Sequence, residues 1–336
     1  MIPRIEPSWQ GESWQQQWAN AIRDPRVLEN LLELPANSLD APAQAIQSFS
    51  LRVPLSYVER MAKSAPRDPL LLQVLPQASE LIEKKGFSTN PVGDIEAQKS
   101  SGILQKYPGR ILLITTGACP IHCRYCFRRH YPYANNQATA NQWQTALEHI
   151  ASDPDLGEVI LSGGDPLSLS DEKLSPLINA LGNIEHVHTL RIHSRLPIVL
   201  PDRITSNIIN MLLSTKKQVI FVLHANHSAE IEQDVPAALD KLHQAGFTLL
   251  NQAVLLKGIN DNTEIQARLN KRLFKFHVLP YYLHMLDPVA GASHFDVPEY
   301  KALEIIAEMR ASLPGYLVPR LVREIAGESS KTPVTY

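Results

Sequence analysis

The sequence predicts an α/β fold built on a parallel sheet and entered through a helical, proline-punctuated N-terminal region. Two patterns predict it. From residue 110 onward, short apolar runs alternate with amphipathic stretches, as strands joined by helical crossovers do. Each run is also followed by an unusual polar or glycine-rich loop, and in parallel α/β folds the chemistry gathers at the C-terminal ends of the strands.

In chain order, Trp14, Trp18, Ile22, Leu28 and Leu32 are spaced as one helical face, interrupted near Pro25. A second helix is predicted from Pro54 to about Lys63, and the polar stretch from Glu80 to Ser101 reads as a connection into the core. Strands are predicted over Arg110–Thr115, Glu158–Leu161, Thr189–Ile192, Gln218–Leu223, Thr248–Leu255 and Phe274–Leu279. Helical segments between them include Trp143–Ile150, Ser175–Leu181, Ile204–Leu213 and Val235–Ala245. The loops that follow the strands contain three cysteines, Gly163-Gly164-Asp165-Pro166, His193-Ser194-Arg195, His224-Ala225-Asn226-His227, Gly258-Ile259-Asn260-Asp261, and the stretch from Tyr281 to Asp287.

The bulk composition narrows the function classes. A chain of 336 residues with 44% hydrophobic and 20% charged side chains can bury a sizeable core. With 32 basic and 34 acidic side chains, the net charge of -2 offers no electrostatic footprint for nucleic acid or an anionic membrane. No apolar run is long enough to span a bilayer, and the start, MIPRIEPSWQGESW, lacks the apolar segment of a secretory signal. A cytoplasmic protein is expected.

All three cysteines fall in one loop, Cys119-Pro-Ile-His-Cys123-Arg-Tyr-Cys126. Such a cluster excludes a disulfide framework and fits a reducing compartment. The gaps of three and two residues let one loop wrap three thiolates around a single centre. On a cubane of four irons, three cysteines leave one iron open to a small molecule. A structural zinc would close with a fourth ligand, which His122 or His130 could supply.

This spacing after a first strand resembles the radical S-adenosylmethionine superfamily. The resemblance implies a partial (β/α)6 barrel with an N-terminal helical region. It also implies a 4Fe-4S cluster on Cys119, Cys123 and Cys126, and S-adenosylmethionine bound at the open iron and cleaved by one electron from a donor. Gly163, Gly164 and Asp165 stand at the glycine-rich turn that meets S-adenosylmethionine in that superfamily. By itself Gly-Gly-Asp-Pro is a common turn.

A longer match runs from about Phe49 to the end. It includes Lys106-Tyr107-Pro108-Gly109-Arg110, Cys119 to Arg129, Leu161 to Asp171, His224 to His227, Asn251-Gln252 through Asn260-Asp261, Pro280-Tyr281-Tyr282 and Lys331-Thr332-Pro333. Together these resemble the lysine 2,3-aminomutases, above all the short bacterial branch that makes (R)-β-lysine for elongation factor P, to which a separate ligase attaches it. The resemblance implies that Lys331 carries pyridoxal 5′-phosphate, with Tyr107 and Arg110 near its phosphate, and that His224 and Gln252 lie on the S-adenosylmethionine side. Arg128 would bind the carboxylate of free L-lysine, and Asp287 and Glu324 its distal ammonium. Three departures stand out: Lys106 where arginine is usual, Glu324 where aspartate is usual, and Gly-Glu-Ser-Ser before Lys331 in place of a glycine run. The expected organisation is a helical region over 1–105, the barrel over 106–325 and a tail carrying Lys331 over 326–336. Two alternatives stay open: an aminomutase for another amino acid such as glutamate, and a non-catalytic zinc-binding adaptor of the translation machinery.

Overall fold

A computed structural model describes residues 11–36, 38–100, 102–136 and 140–335. Its centre is a ten-stranded sheet whose strands follow one another in chain order. They are β1 (Gln98–Ser100), β2 (Ile103–Leu104), β3 (Arg110–Thr116), β4 (Glu158–Gly163), β5 (Thr189–Ser194), β6 (Gln218–Leu223), β7 (Thr248–Val254), β8 (Leu279–His284), β9 (Arg320–Arg323) and β10 (Thr332–Pro333). Pairing is parallel from β3 through β9 and antiparallel at the two ends. Helices Ala140–Ser152, Asp171–Gly182, Ser206–Ser214, Val235–Gln244, Thr263–Lys275 and Glu299–Ser312 supply the crossovers. Strands β3 to β8, each with its following helix, are the six β/α units of the expected partial barrel.

The strands form where apolar and β-branched side chains run together. Arg110–Thr116 reads RILLITT, and its Ile111, Leu113 and Ile114 are buried. The sixth predicted strand is displaced: Phe274 and Lys275 end the helix Thr263–Lys275, His277 turns the chain at φ 63°, and β8 begins only at Leu279. A short apolar run straddles a helix end and a strand start, and periodicity does not separate the two. Phe274 instead lies half exposed against Tyr316, with ring centroids 5.0 Å apart.

The N-terminal helix breaks where expected, into Trp14–Ala19 and Pro25–Leu31. Asp24 caps the second by accepting from the Arg26 N–H, with Pro25 at its first position. The helix predicted from Pro54 shortens to Leu55–Val58. Trp14, Leu28, Leu32 and Tyr57 from this region share one apolar core with barrel residues such as Leu113, Leu161 and Ile192. Among the described residues no helix is long and apolar enough to cross a membrane.

Candidate active site

The cysteine loop leaves the C-terminal end of β3 and is pinned from behind. Arg124, fully buried, donates to both Glu80 oxygens at 2.8 and 2.6 Å, and Arg129 Nη2 donates to Oε2 at 2.7 Å. Both guanidiniums lie on the Phe49 ring, at 4.9 and 4.8 Å. These two arginines anchor the loop to the N-terminal region, and Cys119, Cys123 and Cys126 on it are half-buried thiols outside any disulfide.

The fourth ligand that zinc would need is not gathered there. His122 stacks on Phe49 and bonds the Ser50 carbonyl through Nδ1 at 2.8 Å, and His130 bonds the Ala290 carbonyl through Nε2 at 3.0 Å. Among the described residues no three His, Cys, Asp or Glu side chains converge as ligands of one ion. A cubane asks for something different, one thiolate on each of three irons. Burial pushes the Cys126 thiol up to about 11 and Cys119 well above the usual range, so coordination is what would hold them as thiolates.

The glycine turn after β4 presses backbone against backbone on this loop. Gly164 N–H donates to the Thr116 carbonyl at 2.7 Å and Asp165 N–H to the Ala118 carbonyl at 2.9 Å. A Cβ on Gly163 would meet Thr116 O at 2.4 Å, and one on Gly164 would meet Ala118 O at 2.3 Å. Only glycine fits either position. The Asp165 carboxylate is used by the protein itself: it accepts from Leu167 N, Ser194 Oγ, Arg195 N and Leu196 N, fastening the end of β4 to the end of β5.

Register defines the inner face. Leu161 lies beside Ile192, His193 beside Val222, Val222 beside Leu250, and Gln252 beside Tyr282. Residues in register or two apart share a face, so Ser162, His193, His224, Gln252, Tyr282 and His284 project from the same one. His193, His224 and His284 each keep a buried Nε2 without a partner, and so does Oδ1 of Asp287. Burial, with Arg195, Lys331 and Arg128 nearby, holds His224 down to about 3. Burial also pushes Asp287 up to about 7, against the pull of Lys331. Orphaned polar atoms at this depth are costly unless a ligand satisfies them.

Lys331 enters this space because β10 folds back on β9, setting Thr332 opposite Arg323 and Pro333 opposite Val322. Its Nζ donates to Glu324 Oε2 at 2.9 Å and stands 5.7 Å from the Tyr282 ring centroid. Glu324 also accepts from Tyr107 OH at 2.8 Å and meets Lys106 Nζ at 3.4 Å. Burial alone would raise its carboxyl, but Lys331, Lys106 and Tyr107 outweigh that and hold it below the usual range. Arg110, which opens β3, lies over the Tyr107 ring at 4.6 Å.

From Lys106 the charge alternation continues. Lys106 Nζ pairs with Asp94 Oδ1 at 2.7 Å, and Arg128 Nε donates to Asp94 Oδ2 at 2.6 Å. Arg128 Nη1 reaches Ser162 Oγ on the inner face at 3.0 Å. The structure thus brings Cys119, Cys123, Cys126, Gly163 and Gly164 together at one end of the strands. Arg128, His224, Asp287, Glu324, Tyr107 and Lys331 lie around the inner face, with Gln252 on it. Asp94, His193 and His284 belong to the same site and were given no role from the sequence. Asp94 lay inside a polar connection, and the two histidines needed the sheet register.

A signature of the Radical SAM superfamily matches residues 113–268, from the middle of β3 through the cysteine loop, the glycine turn, His224 and Gln252. Over nearly the whole chain the sequence is similar to proteins named L-lysine 2,3-aminomutase. The relative from Haemophilus influenzae is 45% identical over 332 residues, covering 99% of this chain and 98% of its own. The relative from Escherichia coli K12 is 48% identical over 326 residues, covering 96% and 94%. This chain belongs to the L-lysine 2,3-aminomutase family. The family's relatives are isomerases, so the chain is a radical S-adenosylmethionine enzyme of that class. Superfamily membership brings a 4Fe-4S cluster and S-adenosylmethionine with it. A longer relative from Clostridium subterminale is 34% identical over 322 residues, covering 96% of this chain and 77% of its own.

Proposed function

We propose that this chain is a cytoplasmic lysine 2,3-aminomutase that converts (S)-α-lysine into (R)-β-lysine, with the cluster on Cys119, Cys123 and Cys126 and pyridoxal 5′-phosphate on Lys331. The observation that carries the reading is that the Lys331 amine and the cysteine loop, far apart in the chain, border one inner face that carries buried polar atoms without partners. Pyridoxal phosphate, when bound, supplies a ring that delocalises an unpaired electron next to the migrating nitrogen.

The chain's own side chains support the rest. Arg128 is oriented by Asp94 and Ser162, which leaves Nη2 of its fork for a substrate carboxylate. Asp287, buried and unpaired at Oδ1, is a place for a distal ammonium. Two carboxylates there, Asp287 and Glu324, disfavour glutamate as substrate. The elongation factor P connection, through a separate lysyl ligase, rests on the likeness of the Cys-Arg-Tyr-Cys-Phe-Arg-Arg-His run to that branch.

The test is an anaerobic assay of the iron-reconstituted protein with lysine, S-adenosylmethionine, pyridoxal phosphate and dithionite, read by chiral chromatography. (R)-β-lysine is the expected product. Turnover of glutamate in place of lysine would overturn the substrate, and a colourless protein that binds zinc in place of iron would restore the adaptor reading. Mass spectrometry of elongation factor P incubated with the product and the ligase checks the destination.

A further inference from the structure

Arg195 follows β5 and is buried, 4% exposed. Its Nη1 donates to Cys123 Sγ at 2.6 Å and to Tyr125 OH at 2.7 Å. Its Nη2 donates to Glu230 Oε2 at 2.8 Å and Gln73 Oε1 at 2.9 Å. Its backbone N–H is held by Asp165 Oδ2 at 2.7 Å. The guanidinium is therefore aimed at the middle cysteine by three separate parts of the chain. Glu230, fully buried, is fixed in turn: its Oε1 accepts from the backbone N–H of Asn226 and His227 and from Gln73 Nε2. Among the described residues Cys123 is the one cysteine whose sulfur receives a charged donor.

A ligating sulfur shares the charge of its cluster. Hydrogen bonds to that sulfur, and charge near it, are among the levers that set the potential of an iron–sulfur centre. We propose that Arg195 and Glu230 form an opposed pair that sets the reduction potential of the cluster through Cys123. Arg195 raises it and Glu230 lowers it. The cluster takes one electron from an external donor and goes from the 2+ to the 1+ state, with no bond made or broken at Arg195. The added negative charge is stabilised by the guanidinium, which donates to the sulfur, and destabilised by the carboxylate behind it. Arg195 is thus a positioning residue that acts through the cysteine. The proposal rests on the assignment of the cluster to Cys119, Cys123 and Cys126.

An anaerobic redox titration of the reconstituted full chain, followed by electron paramagnetic resonance of the reduced cluster, tests it. Arg195→Gln should lower the ratio of reduced to oxidised cluster at fixed potential about tenfold, which is about 59 mV for a one-electron couple. Glu230→Gln should shift the midpoint the opposite way, and Arg195→Lys, which keeps the charge, should stay near the parent. Shifts of the same sign in the two glutamine variants, or no shift in either, would overturn the proposal. If Arg195→Gln fails to hold a cluster, the upward shift in Glu230→Gln decides alone. A parent protein that binds no iron and gives no signal would instead refute the cluster assignment.

Discussion

Lys331 Nζ donates to Glu324 Oε2 across 2.9 Å, an ion pair closed by the antiparallel turn of β10 onto β9. The same carboxylate holds Tyr107 OH and meets Lys106 Nζ. One acceptor thus gathers the amine proposed to carry the cofactor, Tyr107, which is expected near its phosphate, and Lys106. Were the amine joined to the proposed cofactor, Glu324 would keep Tyr107 and Lys106 as its partners.

Borohydride reduction of the protein loaded with pyridoxal phosphate, followed by peptide mapping, should place the pyridoxyl group on Lys331. Lys331→Ala should lose the label and keep the cluster spectrum, since the two ligand sets are separate. A label on Lys106, which stands at the same carboxylate, would overturn the assignment.

Glu324→Gln should destabilise the ligand-free protein by roughly 1–3 kcal/mol at neutral pH, because charge-assisted hydrogen bonds are lost in a half-closed site. The sign with pH follows from its lowered carboxyl. Its stabilisation is present above the unfolded carboxylate value and is lost as pH falls through the folded one. Denaturant titrations at neutral and acid pH should show the gap between parent and variant closing on the acid side.

Asp287→Asn should raise KM for lysine by about two orders of magnitude, since an unpaired buried charge costs roughly 3–5 kcal/mol and part of that is recovered in a polar pocket. Its effect on stability should run the other way. Burial raises the carboxyl to about 7, so ionising it weakens the ligand-free fold as pH rises from the usual carboxylate range to about 7. Melting temperature at pH 8 should therefore be unchanged or higher in the variant. A lower melting temperature with unchanged lysine kinetics would make Asp287 a structural residue.

Lysine binding should also weaken below neutral pH in the parent. A substrate ammonium needs the ionised Asp287, so KM should rise about tenfold per unit as pH falls below about 7, and the rise should vanish in Asp287→Asn. A flat profile in the parent would exclude this pairing.

Gly164→Ala should cost roughly 1–3 kcal/mol and loosen the cysteine loop, because its Cβ would stand 2.3 Å from the Ala118 carbonyl oxygen, and backbone must move. Thermal unfolding and the iron content after reconstitution read both effects. Unchanged values in both would mean that the turn does not brace the loop.

Local pattern carried a large part of this protein in the sequence. The strands β3 to β7 follow apolar runs with strong β-propensity, and their ends agree with expectation to within a residue or two. The cysteine spacing and the glycine turn after β4 were legible for the same reason, since each is a demand made within one short loop. The displaced sixth strand shows the limit, where one apolar run held both a helix end and a strand start.

Partners across the sheet were decided only in three dimensions. Nothing near Arg128 in the chain announces Asp94, 34 residues before it, and nothing near Cys123 announces Arg195, 72 residues after it. His193 and His284 reach the inner face through register alone, which a shift of one residue would reverse. Glu324 and Lys331 meet because two short strands pair at the sheet's edge. The chain's own periodicity specifies which residues are strand and which are loop. Which charges face one another depends on how the closed chain packs, because a buried charge takes whatever partner the fold brings within reach.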